Sequence, residues 1–96
     1  MIRHGDVQLV LVNSIPTEAK KLDGRKELAY GEATGHAHRI DVGDIFEDKN
    51  GVLFLRADRL ATLTHEEHKP VKIEPGCYRV SIKRQYTSDG WQDVRD

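Results

Sequence analysis

Two pairs of histidines carry the most chemistry per residue in this chain. His36 and His38 are two apart, and His65 and His68 are three apart with Glu66 and Glu67 between them. In an extended segment, residues two apart project to one face, so His36 and His38 share a direction, together with Ile40. Ala37, Arg39 and Asp41 then take the opposite face. Neutral imidazoles arranged this way suit borderline cations such as zinc, nickel, copper or iron. His65 and His68 lie in a polar connection whose turn can aim both rings the same way. Glu66 and Glu67 add a carboxylate ligand or a general acid or base, and they are the candidate catalytic residues. The candidate metal ligands are therefore His36, His38, His65 and His68, with a divalent transition metal (zinc, nickel or iron) as the implied cofactor. Three ligands with an open position read as catalytic, and a closed set of four reads as structural.

His4, the fifth histidine, stands apart near the N-terminus and is left out of the site, which it would join only if the first strand lies alongside. Cys77 is the single cysteine, so no internal disulfide forms, which suits a reducing cytoplasm. Fifteen basic residues against sixteen acidic ones give a formal charge of −1, an unfavourable balance for a chain built mainly to coat phosphate. The N-terminal residues Met1 to Asp6 lack the apolar core of a signal peptide. No apolar run approaches membrane-spanning length. The expectation is a cytoplasmic protein with no membrane partner, taking a small-molecule or nucleic-acid ligand. The chemistry does not by itself decide whether the protein is an enzyme.

The elements that position these residues read as short strands. Val7 to Val12 is β-branched and apolar, bounded by Gly5 and Asn13-Ser14. Ile15 to Leu22 includes Pro16, which suits the first position of a short helical turn. Glu27 to Ala33 reads as a second strand, with a bulge suggested at Gly31. His36 to Asp41 is extended, Val42-Gly43-Asp44 is a turn, and Ile45 to Glu47 is a short strand. Asp48-Lys49-Asn50-Gly51 holds the strongest hairpin signal, an Asn-Gly turn. Val52 to Arg56, Leu60 to Thr64 and Val71 to Glu74 read as three more strands. Cys77 to Tyr86 is the longest alternating run, with Tyr78, Val80, Ile82 and Tyr86 on one face. No segment keeps a helical period. The 96 residues predict one domain, all-β, a small barrel or sandwich of about seven short strands.

The chain bears two kinds of resemblance. The phrases Met1-Ile2-Arg3-His4-Gly5-Asp6-Val7, Gly35-His36-Ala37-His38-Arg39-Ile40, Leu63-Thr64-His65-Glu66-Glu67-His68, Pro75-Gly76-Cys77-Tyr78-Arg79-Val80 and Gln85-Tyr86 resemble a family of small uncharacterised bacterial and phage proteins. That likeness spans nearly the whole chain and implies no activity. Gly35 before His36-Ala37-His38 resembles the first metal motif of the cupins, which implies ligand roles for His36 and His38. The glutamate that comes next in cupins has no counterpart among Arg39, Ile40, Asp41 and Val42, and Pro75-Gly76 falls after the second histidine pair. Val42-Gly43-Asp44-Ile45 also resembles a chaperonin-10-like barrel, in which the histidines would be incidental.

Three function classes are open at this point. The first is a metal-binding β-barrel. The second is a nucleic-acid-binding or RNA-processing module that uses histidines as acid and base, with Tyr78 to Tyr86 as a basic-aromatic stripe. The third is a non-catalytic protein-interaction module.

Overall fold

The computed structural model describes residues 1–30 and 36–82, together with the backbone of 84–87 and 90–93. In chain order the strands are β1 (Ile2–His4), β2 (Val7–Val12), β3 (Lys20–Lys21), β4 (Glu27–Tyr30), β5 (Ala37–Ile40), β6 (Asp44–Glu47), β7 (Leu53–Ala57), β8 (Ala61–Thr64), β9 (Val71–Ile73), β10 (Gly76–Ile82), β11 (Arg84–Thr87) and β12 (Gly90–Asp93). There is no helix among the described residues.

Every pairing is antiparallel. Six strands form one sheet in the order β1-β2-β10-β7-β6-β3, and four form a second in the order β4-β5-β8-β9. β11 and β12 make a separate hairpin. The core lies between the two sheets. Val7, Leu9, Ile45, Leu55, Tyr78 and Val80 come from the first, and Leu28, Ile40, Ala61, Leu63 and Ile73 from the second. The arrangement is a sandwich rather than a closed barrel, and it results from strands whose alternate residues are apolar.

Local chemistry explains the connections that matter for the site. β1 turns into β2 through Gly5-Asp6, with His4 opposite Val7. Gly5 has φ 62° and no residue other than glycine has positive φ among the described residues, so in this turn positive φ falls at the first position alone. That is the type II′ pattern, whose twist matches the flanking strands. It leaves Asp6 held at the strand end beside His4.

Several sequence expectations are refined. Around Pro16 a single turn closes, with Ala19 N–H donating to the Pro16 carbonyl at 3.0 Å, and no helix forms after it. The Asn-Gly hairpin is not a two-residue turn, because Asn50 lacks the positive φ that a type I′ turn demands. Instead Asp48 and Val52 close a three-residue loop, with Gly51 at φ 82°. Asp48 Oδ1 accepts from Asn50 N–H at 2.8 Å and Val52 N–H at 2.9 Å. The second strand is described as far as Tyr30, and its ladder irregularity lies between Glu27 and Ala29. The bulge expected at Gly31 lies outside the described residues. The long run from Cys77 breaks after Ile82, which pairs with Val7 at the start of β2, so β2 has no residue left to extend that ladder. The basic-aromatic stripe loses Tyr78 to the core, where its hydroxyl donates to the Glu74 carbonyl at 2.7 Å. The side chains from 83 onward lie outside the described residues.

Leu63 is fully buried and pairs with Ile40 at the base of the histidine cluster. Leu63→Ala is expected to lower stability by about 2–5 kcal/mol. Urea unfolding should show an earlier midpoint with an unchanged slope.

Candidate metal centre

The site is built by the ladder between β5 and β8, continued past its last paired residues. Arg39 faces Thr64 and Ile40 faces Leu63. Extending that antiparallel register puts His38 opposite His65, Ala37 opposite Glu66, and His36 opposite Glu67. The side-chain contacts agree at every step. The rings of His38 and His65 lie 4.4 Å apart, centroid to centroid. Ala37 N–H donates to Glu66 Oε1 at 3.0 Å. His36 Nδ1 lies 2.9 Å from Glu67 Oε1. The polar connection after β8 therefore behaves as a ladder in which carboxylates replace carbonyls as acceptors.

The His36–Glu67 contact fixes a tautomer. A carboxylate accepts, so His36 Nδ1 carries the hydrogen, and in the neutral ring the lone pair is on Nε2. Carboxylate–histidine pairs of this kind orient a metal-binding imidazole. Glu66 is held twice, by Ala37 N–H and by Arg39 Nη1, which donates to Oε2 at 3.0 Å. The Ala37 amide first, then Glu66's own amide and the Arg39 guanidinium, pull its carboxyl down to about 2. Glu66 is therefore an anion at any ordinary pH.

His4 enters the cluster, contrary to its sequence assignment. β1 carries it under the end of β5, where it is 4% exposed. Its Nδ1 lies 2.9 Å from His38 Nδ1, and its Nε2 lies 2.9 Å from the Lys69 carbonyl. The His4 ring sits 5.0 Å from His38 and 5.5 Å from His68. His68 in turn lies 4.8 Å from His65. All five histidines of the chain thus form one connected group of rings. Asp6 Oδ1, 3.2 Å from His38 Nε2, joins it from the β1–β2 turn. Sequence reasoning missed Asp6 and left His4 out unless the first strand lay alongside, because both reach the site only through a non-local contact. The usable signal was the tight turn itself, His4-Gly5-Asp6.

His36, His65 and Glu66 each bring one ligand atom to within 4.8 Å of the others. Ligand atoms of a tetrahedral zinc ion sit about 3.4 Å apart, so binding draws these side chains inward. His38 and His68 are adjacent to this group rather than members of it. Glu67 supports His36, and neither glutamate stands as an isolated base. His65 is 8% exposed, and its Nδ1 accepts from Glu67 N–H at 2.9 Å. Its Nε2 is buried with no hydrogen-bond partner among the described residues. Leaving such an atom unsatisfied costs on the order of 1–3 kcal/mol.

A family model described as a domain of unknown function, DUF8820, matches residues 3–83. The chain belongs to that family. The DUF8820 match takes in all five histidines, Asp6, Glu66 and Glu67, and ends before the β11–β12 hairpin. No curated protein and no solved structure matches the chain. No helix among the described residues is long and apolar enough to cross a membrane.

The lowered Glu66 carboxyl sets a pH dependence. Its folded value lies below the ordinary 4.5, so its stabilisation is complete above that value and is lost as pH falls towards about 2. In metal-free protein, denaturant titrations should find Glu66→Gln less stable than wild type at pH 7. The difference should close as pH falls through that window.

Proposed function

We propose that this protein binds a divalent transition metal ion at the histidine cluster, with His36, His65 and Glu66 as ligands. The observation that carries the reading is the His36–Glu67 pair. It occupies His36 Nδ1, so in the neutral ring the lone pair available to a metal is on Nε2, and one ligand atom of His36 lies within 4.8 Å of those of His65 and Glu66. Two imidazoles and one carboxylate match the donor preference of zinc and of the neighbouring first-row ions, and leave a coordination position for water or a ligand oxygen. His36 and Glu67 are partly exposed, which opens a route from solvent to the ion.

His65 must change on loading. Its Nδ1 now accepts the Glu67 amide, so in the neutral ring the hydrogen is on Nε2. Binding through Nε2 moves that hydrogen to Nδ1 and releases Glu67 N–H, so the Glu66-Glu67 turn shifts with the metal. The same tautomer favours a second reading. With Nε2–H as donor, His65 would serve a metal-free acid–base site acting on a phosphodiester or similar anion, with Arg39 nearby.

Calorimetric titration of chelator-treated protein with zinc and nickel tests the proposal. Saturable heats are expected, and they should weaken at least tenfold in affinity in the double variant His36→Ala with His65→Ala. Heats unchanged by the double variant contradict the ligand assignment. No heat at all leaves the acid–base reading.

A further inference from the structure

The two sheets turn different outer faces to solvent. The core residues fix which side chains point out, because alternate positions on a strand take opposite faces. On the four-stranded sheet the outward positions include Glu27, Arg39, Thr62, Thr64 and Lys72, all polar. On the six-stranded sheet they include Val10, Val12, Cys77, Phe46 and Phe54. Phe54 is buried and the other four are half-buried. Outward strand positions of a sandwich are ordinarily polar, so this composition makes the second face a candidate interaction surface. Its charge has one sign in excess. Arg79 lies between Val10 on β2 and Phe54 on β7, and Arg3 lies opposite Gln8 on the edge strand β1. Both are exposed, and neither makes an ion pair among the described residues. Arg56 and Lys21 share the Asp44 carboxylate, at 3.0 Å and 3.4 Å, and Arg56 also meets Asp58 at the rim, at 3.9 Å. Sheet spacing sets Arg79 about 8 Å from Arg56 and about 12 Å from Arg3, Cα to Cα, along one diagonal. The Arg56 guanidinium lies over the Phe46 ring, 5.0 Å from its centroid, as a flat cationic plate.

We propose that the outer face of the six-stranded sheet binds single-stranded nucleic acid. Arg3 and Arg79 meet phosphates, and the Arg56–Phe46 stack lies under a base. Charge complementarity is the first argument. Arg3 and Arg79 are a surplus of positive charge that nothing on the face answers, and a polyanion supplies the missing partner at repeated intervals. The formal charge of −1 for the whole chain does not oppose this, because the excess is local to one face. The second argument is shape. Single strands lie on open sheet faces and stack their bases on aromatic rings and guanidinium planes, and the Arg56–Phe46 stack is such a platform. An acidic protein segment would answer the arginines and leave the plate without a counterpart. The face is independent of the metal position at His36, His65 and Glu66.

Fluorescence anisotropy with labelled oligouridylate and oligothymidylate at low salt tests the proposal. Saturable binding is expected, falling with salt at a log–log slope of roughly −1.4 for two neutralised phosphates. The tighter of the two oligomers distinguishes an RNA from a DNA strand, and either supports the face. Arg79→Ala should weaken binding at least about threefold and flatten the slope. Lys72→Ala removes the same charge from the outer face of the other sheet and should change nothing. Arg56→Lys keeps the charge and loses the plate, and it should weaken binding as well. Arg79 has no ion-pair partner to lose, and an unchanged urea midpoint confirms that Arg79→Ala folds as wild type does. Absence of binding to both oligomers overturns the proposal. So does equal weakening by Arg79→Ala and Lys72→Ala. Polyglutamate that competes as well as unlabelled oligonucleotide also overturns it, since charge alone then suffices.

Discussion

The register between β5 and β8 is the constraint on which the rest of the site depends. A strand ladder has period two, so one fixed pairing, Arg39 with Thr64, determines every residue opposed beyond it. A slip of one residue would set His38 against Glu66 and carry the alternate side chains to the wrong face. Register is strongly specified only where a face is buried, and here Ile40 and Leu63 supply that burial directly below the cluster. The apolar core therefore decides which imidazoles meet. The Asp41 carboxylate reinforces the far end of the same ladder. It accepts from Thr62 N–H at 2.7 Å and Val42 N–H at 2.8 Å, and the Thr62 bond is the leading reason its carboxyl lies below the usual range.

Burial of His4, His38 and His65 in a chain this small costs solvation, and the structure answers with specific partners. His4 is anchored on a backbone carbonyl, His38 on His4 and Asp6, and His65 on the Glu67 amide. A buried network of this sort resists replacement by one partner at a time, because each removal strands another polar atom. It also orders the cluster from outside inwards. His36 with Glu67 forms the exposed rim, His65 the middle, and His38 with Asp6 and His4 the floor.

Much of the fold was legible because strands announce themselves through alternation and turn residues. Val7 to Val12, Ala61 to Thr64 and Val71 to Ile73 lie where β-branched alternation places them. The common direction of His36 and His38 came from strand geometry alone, and both rings do reach His65. The pairing partners were not legible. Nothing local to His65-Glu66-Glu67-His68 says that it continues a ladder, since carboxylates stand where backbone groups would. Asp6 was missed, and His4 left outside the site, for the same reason. Their place depends on β1 lying under β5's end, a contact between residues 34 apart in sequence. Local chemistry also misdirected at Asn50-Gly51, where the Asp48 side chain selects a longer loop than the dipeptide suggests.

Membership of DUF8820 supplies no role, so a role has to come from the chemistry of the cluster. On the proposed reading, β5 and the segment after β8 converge to hold a metal ion between His36, His65 and Glu66. Anomalous diffraction at the zinc absorption edge, on crystals grown with zinc, tests it most directly. The expected result is an anomalous peak within coordinating distance of all three side chains, with Glu67 still bonded to His36 behind it. A well-ordered structure with no peak there, or with zinc held elsewhere on the surface, would contradict it.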